Sequence, residues 1–418
     1  MPTPGQIQRT YLVLVLGNTL AASLIWGINT IFLLDAGLSN LEAFAANAFF
    51  TAGMVLFEIP TGVVADTAGR RLSYLLGTVT LSVSTLLYVL LWQIEAPFWA
   101  WAVVSMLIGL GYTFFSGAVE AWLVDALTAT GFTGSVDSVF GRGQVVSGAA
   151  MLGGSVAGGF IAEQSSLAVP FLLRGLILLV MFVAAIALMH DLGFAPVKGG
   201  RITTEVRNVA AASIEHGWRA PAVKWLMLES LAAGGVGIYA FYALQPYLLE
   251  LYGDPGAYQI AGLVAAIVAG AQIVGGLVAP WIRRRLERRT SALLLLAVLN
   301  VATLALIGLA DSFWAVLALI VVWGLLFSAS MPIRRAYLNG LIPSRQRATI
   351  LSFDSLMQST GGVVAQPALG WAADVWRYPV TFVASGLVAA LALPFVAHAR
   401  GHDVPADREA GVPSAKEA

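Results

Sequence analysis

The stretch Thr61–Tyr74, TGVVADTAGRRLSY, sets one aspartate and two adjacent arginines, Asp66, Arg70 and Arg71, between two long apolar runs. Charges are used sparingly here: the chain is 58% hydrophobic and only 11% charged, with a mean hydropathy of +0.82. A soluble domain carries roughly 25% charged residues. The composition therefore places the chain in a lipid bilayer and the quoted stretch at the membrane surface, between two crossings.

The net charge of +0 supplies no field for nucleic acid, which is excluded as a partner. With 0 cysteines there are no disulfides, thiolate metal sites or cysteine nucleophile. No His-Glu-x-x-His or phosphate-loop pattern is present, and His190, His216, His398 and His402 all fall at span ends or in connections. An enzyme and direct coupling to ATP are therefore not expected, nor is any cofactor or metal. The N-terminal apolar run continues past twenty residues without a small-residue cleavage site and reads as a retained first span.

Each crossing of a hydrocarbon core about 30 Å thick needs roughly 20 apolar residues. Twelve such runs occur, near 11–34, 41–65, 72–93, 98–126, 143–163, 168–189, 222–250, 257–281, 290–310, 313–337, 347–373 and 378–398. Alternating strand-like periodicity is missing, so the expected class is all-α rather than a β-barrel. Basic residues collect in alternate connections, at Arg70 and Arg71, Lys198 to Arg219, Arg283 to Arg289, and Arg334 to Arg347. The other connections carry acids such as Asp35, Glu95, Asp254 and Asp311. By the positive-inside rule both termini face the cytoplasm, in a multi-pass protein of the inner or plasma membrane.

The longest polar connection falls between the sixth and seventh spans. It divides the chain into an N-terminal six-helix bundle at 1–190, a cytoplasmic linker at 191–221 and a C-terminal six-helix bundle at 222–400. Residues 203–218 of the linker have the pattern of an amphipathic surface helix, and the polar tail, 401–418, reads as disordered. The fifth and eleventh spans open alike: Arg142 and Arg347 are each followed five residues later by a serine and then by paired glycines. Matching positions in two halves favour a duplicated, pseudo-symmetric pair of bundles, an arrangement in which transporters place a site at the midplane.

The stretch GVVADTAGRR resembles the signature-A loop of the major facilitator superfamily, Gly-x-Leu-Ala-Asp-Arg-x-Gly-Arg-Arg/Lys. Gly62, Ala65, Asp66, Gly69, Arg70 and Arg71 match, whereas Val64 and Thr67 depart from the pattern. With twelve spans in a six-plus-six order, the resemblance covers about residues 10–400. It implies a secondary transporter in which Gly62, Asp66, Gly69, Arg70 and Arg71 form a cytoplasmic latch, Arg70 pairing with Asp125 at the end of the fourth span. On physical grounds Gly62 and Gly69 permit a tight turn and close helix approach, and Asp66 is placed to accept from a helix N-terminus. A topological anchor at the membrane surface is the alternative reading of the same charges.

Two further signatures are degraded. The fifth-span series Gly154-Ser155-Val156-Ala157-Gly158-Gly159 resembles the exporters' signature C with Ser155 in place of proline. Ser105 stands where proton-linked exporters of the family often carry a fourth-span arginine. In the second half Pro280 lies near where the loop aspartate belongs, so the latch reads as one-sided.

Ionisable groups within spans are functional candidates by default. Glu58, Glu120, Glu229 and Asp354 lie on the order of 10 Å inside their spans, at 1.5 Å per residue, and are the candidates for proton coupling. Arg142 is the expected ion-pair partner of Glu120 or Asp125, and Arg347 that of Asp354, while Glu229 has no partner visible at its depth. Arg174 is expected to snorkel outward. Because the first, fourth, seventh and tenth spans line the pathway in the family, the cavity candidates are Asn18, Trp26 and Asn29; Tyr112 and Phe115; Tyr239, Tyr242 and Gln245; and Trp323 and Phe327. An aromatic, mostly uncharged cavity suits an amphipathic or apolar small molecule.

The reading that results is a monomeric transporter working by alternating access and exporting a hydrophobic or drug-like molecule against proton entry. Uptake or facilitated passage of a sugar or organic anion is the alternative within transport, and a receptor or scaffold derived from a transporter is the alternative outside it.

Overall fold

The computed structural model describes residues 2–196, 218, 220–342 and 347–408, with the side chains of 347–349 left aside. The described residues are helical, with no strand among them. The amphipathic helix read at 203–218 lies outside them apart from Trp218, and the tail beyond residue 408 lies outside them altogether.

In chain order the helices are α1 (Pro4–Trp26), α2 (Asn29–Asp35), α3 (Asn40–Ala68), α4 (Arg70–Gln93), α5 (Phe98–Thr113), α6 (Ala118–Ala129), α7 (Val136–Gln164) and α8 (Ala168–Leu188). They continue as α9 (Pro221–Tyr252), α10 (Tyr258–Arg285), α11 (Arg289–Leu309), α12 (Phe313–Leu341), α13 (Arg347–Ala390) and α14 (Ala392–Gly401). Eleven segments of the described residues are long and apolar enough to span a membrane. The last, 350–401, is 52 residues long and breaks at Arg377, where φ is 66° and ψ is 166°, so it makes two crossings and the total is twelve. The first span is α1 with α2, and the fourth is α5 with α6.

Local sequence explains where the helices start. Thr3 accepts from the Gln6 backbone N–H while the Gln6 side chain returns a bond to the Thr3 N–H, and Ser39 and Glu42 repeat this reciprocal cap at α3. Such boxes satisfy two of the donors that every helix N-terminus leaves open. The fourth span breaks at Gly117, whose φ of 68° requires a residue without a Cβ.

Two compact units are present: residues Met1–Glu205 with Tyr242–Ala269, and Val206–Phe241 with Gly270–Ala418. In the first, α3 packs on α5, α1 on α7 and α8, and α4 on α8. Phe32, Trp101 and Phe171 form its aromatic centre, with Phe32 and Phe171 stacked at 4.1 Å. In the second, α11 packs on α12, α13 and α14. Gly235 and Gly361 face each other there so closely that a Cβ on either would meet main chain of the other helix, the small-residue contact by which membrane helices approach.

The segment 402–408, part of the tail expected to be disordered, is folded. A short 3-10 turn, Pro405–Asp407, leaves Asp407 fully buried against the start of α11.

Candidate functional site

The quoted stretch resolves into two helices meeting at one residue. α3 ends at Ala68, α4 begins at Arg70, and Gly69 between them takes φ 114° and ψ 149°. That conformation is open to glycine and strained for any other residue. Gly62 lies within α3 with open space around it, so it makes no turn. Asp66 accepts from Arg70 Nη1 at 2.5 Å, and Arg70 Nε lies 3.9 Å from Asp125 Oδ2. The loop therefore gathers Asp66, Arg70 and Asp125 into one cluster.

Asp66 does not cap the next helix. The α4 N-terminus is capped from far along the chain: Asp191 Oδ1 accepts from the Arg71 backbone N–H at 2.9 Å. Arg71 in turn donates through Nη2 to the Ile186 carbonyl at 2.6 Å, and the Phe194 ring lies under the Arg70 guanidinium at 5.9 Å. The segment after the sixth span is thus part of the loop cluster.

The second unit repeats this arrangement with the segment after the twelfth span. Asp407 accepts from the Thr290 N–H at 2.8 Å and the Thr290 hydroxyl at 2.7 Å, capping α11. Arg289 donates to the Ala406 carbonyl, Arg283 to the Arg408 carbonyl at 3.1 Å, and Arg288 pairs with Asp403 at 2.9 Å. The acid missing at Pro280 is supplied instead by the tail. The His-Asp pairs at 190–191 and 402–403 were the available signal.

A cavity of about 450 Å³ lies within the second unit, walled by α9, α11, α12, α13 and α14. Trp323 and Phe327 stack at 5.8 Å on one wall, and Asn300, Gln358 and Ser330 supply neutral polar groups. Its charged centre is Arg334. The guanidinium donates through Nη1 and Nη2 to the two oxygens of Asp354, at 2.6 and 2.7 Å, through Nε to Glu229 at 2.6 Å, and through Nη2 to the Leu226 carbonyl at 2.8 Å. All three charged side chains are at most 16% exposed. Two carboxylates and one guanidinium leave the group with one net negative charge. Pro332, which cannot donate to the helix ladder, sits two residues before Arg334 in α12.

This geometry corrects several pairings. Glu229, read as unpartnered, shares Arg334 with Asp354, and the Arg347 side chain expected to pair with Asp354 lies outside the described residues. Arg334 itself was counted with the basic connection although it falls inside the tenth span as read, 313–337, and α12 carries on past it to Leu341. Arg142 reaches neither Glu120 nor Asp125; it donates to Gln8 Oε1 at 3.0 Å and to the Ser138 carbonyl at 3.3 Å. Glu120 is exposed in the first turn of α6, and exposed Glu58 accepts from Ser116 at 2.7 Å across the break in the fourth span. Arg174 does not snorkel, being only 3% exposed.

The remaining cavity candidates divide between the units. Tyr239 is fully buried in the second unit and donates to Thr381 at 2.8 Å, away from the cavity lining. In the first unit, Asn18 accepts from Tyr74 at 2.8 Å, Asn29 donates to Asn47 at 3.0 Å, and Phe115 packs against Tyr74 at 5.0 Å. Gln245, 1% exposed, bridges the break in the first span: it accepts from the Thr30 N–H at 3.1 Å and donates to the Trp26 carbonyl at 2.9 Å. Tyr112 meets Phe50 edge-on at 5.5 Å, and Tyr112 and Tyr242 stay partly exposed. Among the described residues no cluster of metal-ligating side chains occurs.

Comparison with solved structures finds the same fold over nearly the whole chain. A point mutant of the nucleoside transporter NupG superposes with a TM-score of 0.77 at 12% identity, covering 94% of this chain and 99% of that one. A POT family transporter in complex with 5-aminolevulinic acid gives 0.70 at 14% identity, covering 93% and 94%. A bacterial homolog of the human lysosomal transporter Spinster gives 0.71 at 15% identity, covering 98% and 100%. At such identities the likeness is one of fold. No curated protein matches the sequence. The model of the Major Facilitator Superfamily matches residues 11–311 and 261–416, and the chain belongs to that superfamily of membrane transporters.

Proposed function

We propose that this transporter exports an amphipathic, drug-like small molecule against proton entry, with Glu229 as the coupling acid. The observation that carries the reading is the cavity around Arg334, of a size suited to a small-molecule ligand, with an aromatic wall, neutral amides and two carboxylates, Glu229 and Asp354, lined also by Arg335. Asp354 is held through both oxygens and Glu229 through one. Releasing Glu229 from Arg334 breaks one hydrogen bond, and the two-oxygen fork to Asp354 keeps the guanidinium in place when it is released.

Export is supported by the resemblance of the fifth-span glycine series to the exporters' signature C; the close contact with α1 that Gly154 and Gly158 allow carries no direction of its own. Charge placement supports cytoplasmic termini in the cell membrane, with Asp66, Arg70 and Asp125 as a latch on the cytoplasmic side. Twelve spans are sufficient for a monomer that moves its substrate by alternating access.

The test uses purified protein in liposomes with a pH-sensitive dye inside and a panel of lipophilic cations, lipophilic anions and neutral amphiphiles outside. Substrate-driven proton movement that Glu229→Gln abolishes and Asp66→Asn slows is the expected result. Substrate flux with no proton movement, or coupling that survives Glu229→Gln, overturns the assignment.

A further inference from the structure

Arg174 is a cation buried within the first unit with no acidic partner among the described residues. It lies six residues into α8, about 9 Å from the helix end at 1.5 Å per residue, and is 3% exposed. Its Nε has no hydrogen-bond partner, and among the described residues no carboxylate forms an ion pair with its guanidinium. The contact it does make is with the Tyr112 ring, 5.6 Å below the guanidinium carbon.

A buried guanidinium is costly unless its donors and charge are matched. A cation–π contact contributes about 0.5–2 kcal/mol, well short of the several kcal/mol that desolvating the ion costs. Neighbouring groups offer no compensating charge. Tyr88 is committed to Ser105 at 2.5 Å, and Ser105 is the fourth-span position that lacks the arginine often found in proton-linked exporters. Arg174 brings a guanidinium to the neighbourhood of that serine from a different helix. Tyr112, whose ring lies against the guanidinium, keeps part of its surface accessible, so a ligand seated on that ring lies next to the guanidinium.

We propose that Arg174 is a specificity residue that binds the single carboxylate of an amphipathic substrate, whose apolar body rests on Tyr112. The missing counter-charge then arrives with the ligand, and the planar guanidinium fork fits a carboxylate bidentately. The inference rests on the transporter reading above and names the chemistry of the substrate. It is independent of the Glu229 assignment, which concerns the other unit.

Two probes of one shape separate these ideas: naphthaleneacetate and naphthaleneacetamide, titrated against the purified full chain in nanodiscs by tryptophan fluorescence. The wild type is expected to prefer the carboxylate by about tenfold, the range of a charge-assisted over a neutral hydrogen-bonded contact. Arg174→Gln brings the two affinities to parity, and Arg174→Lys, which keeps the charge and loses the fork, retains part of the preference. Thermal unfolding of each variant identifies those that fold, and Arg174→Lys carries the test if the glutamine variant does not. Equal binding of both probes to the wild type, or a full preference surviving Arg174→Gln, overturns the Arg174 assignment alone. Binding of neither probe overturns the amphipathic-substrate reading on which it stands.

Discussion

Arg334 and Asp354 meet fork to fork, with parallel hydrogen bonds of 2.6 and 2.7 Å, and the same guanidinium spends its Nε on Glu229 from a third helix. α9, α12 and α13 are joined at this one side chain. Three charges in a half-dry site are interdependent, since each was desolvated on the condition that the others remain.

Arg334→Met is therefore expected to destabilise the protein by about 3–5 kcal/mol, the cost of leaving buried carboxylates without their cation. The triple change Arg334→Met, Glu229→Gln, Asp354→Asn is expected to recover much of that loss. Thermal unfolding in detergent reads both, and a triple variant no more stable than the single one would show that the arginine acts through packing rather than charge.

Asp407→Ala removes the cap of α11, where one carboxylate serves two donors of Thr290. A lost cap costs about 0.5–2 kcal/mol, so a lowered unfolding temperature is expected, and truncation after Gly401 should lower it further. An unchanged midpoint in the truncated chain would mean that the tail contributes nothing to folding.

Asp191→Ala acts on α4 as Asp407→Ala acts on α11, with a similar expected loss of about 0.5–2 kcal/mol. Gly69→Ala should cost about 1–3 kcal/mol, because φ 114° is strained for alanine and the new Cβ meets the Asp191 carboxylate. Combining the two should give less than the sum of their effects, since both disturb one contact. Strict additivity in a double-mutant cycle would separate them.

Gln245→Leu deletes two hydrogen bonds to backbone groups freed by the break between α1 and α2. Leaving the Thr30 N–H and the Trp26 carbonyl unpaired is expected to cost about 1–3 kcal/mol each. Faster hydrogen exchange at residues 27–31 is the local measure, and unchanged protection there would show that solvent or a neighbouring group already satisfies them.

Much was legible without coordinates. Twenty-residue apolar runs, alternating basic connections and the Asp66–Arg71 motif were sufficient for the all-helical membrane class, the twelve crossings and the superfamily. The physical reason is that a bilayer imposes its constraints residue by residue: thickness sets run length, and unsatisfied backbone permits only helices or closed barrels. Gly69 belongs to this group, because a left-handed backbone between two helices leaves its mark on a single position.

What the tertiary structure decided was which charge meets which. Arg334 lies 105 residues from Glu229, Asp191 lies 120 from Arg71, and Asp407 lies 117 from Thr290. A span carries no record of which face it turns to its neighbours, since lipid-facing and buried positions are equally apolar in a membrane helix. Arg174 shows the same limit: a lone arginine near a span end reads as a snorkelling group, and only the packing of α8 against α4 and its contact with Tyr112 show a buried cation with no acidic partner among the described residues.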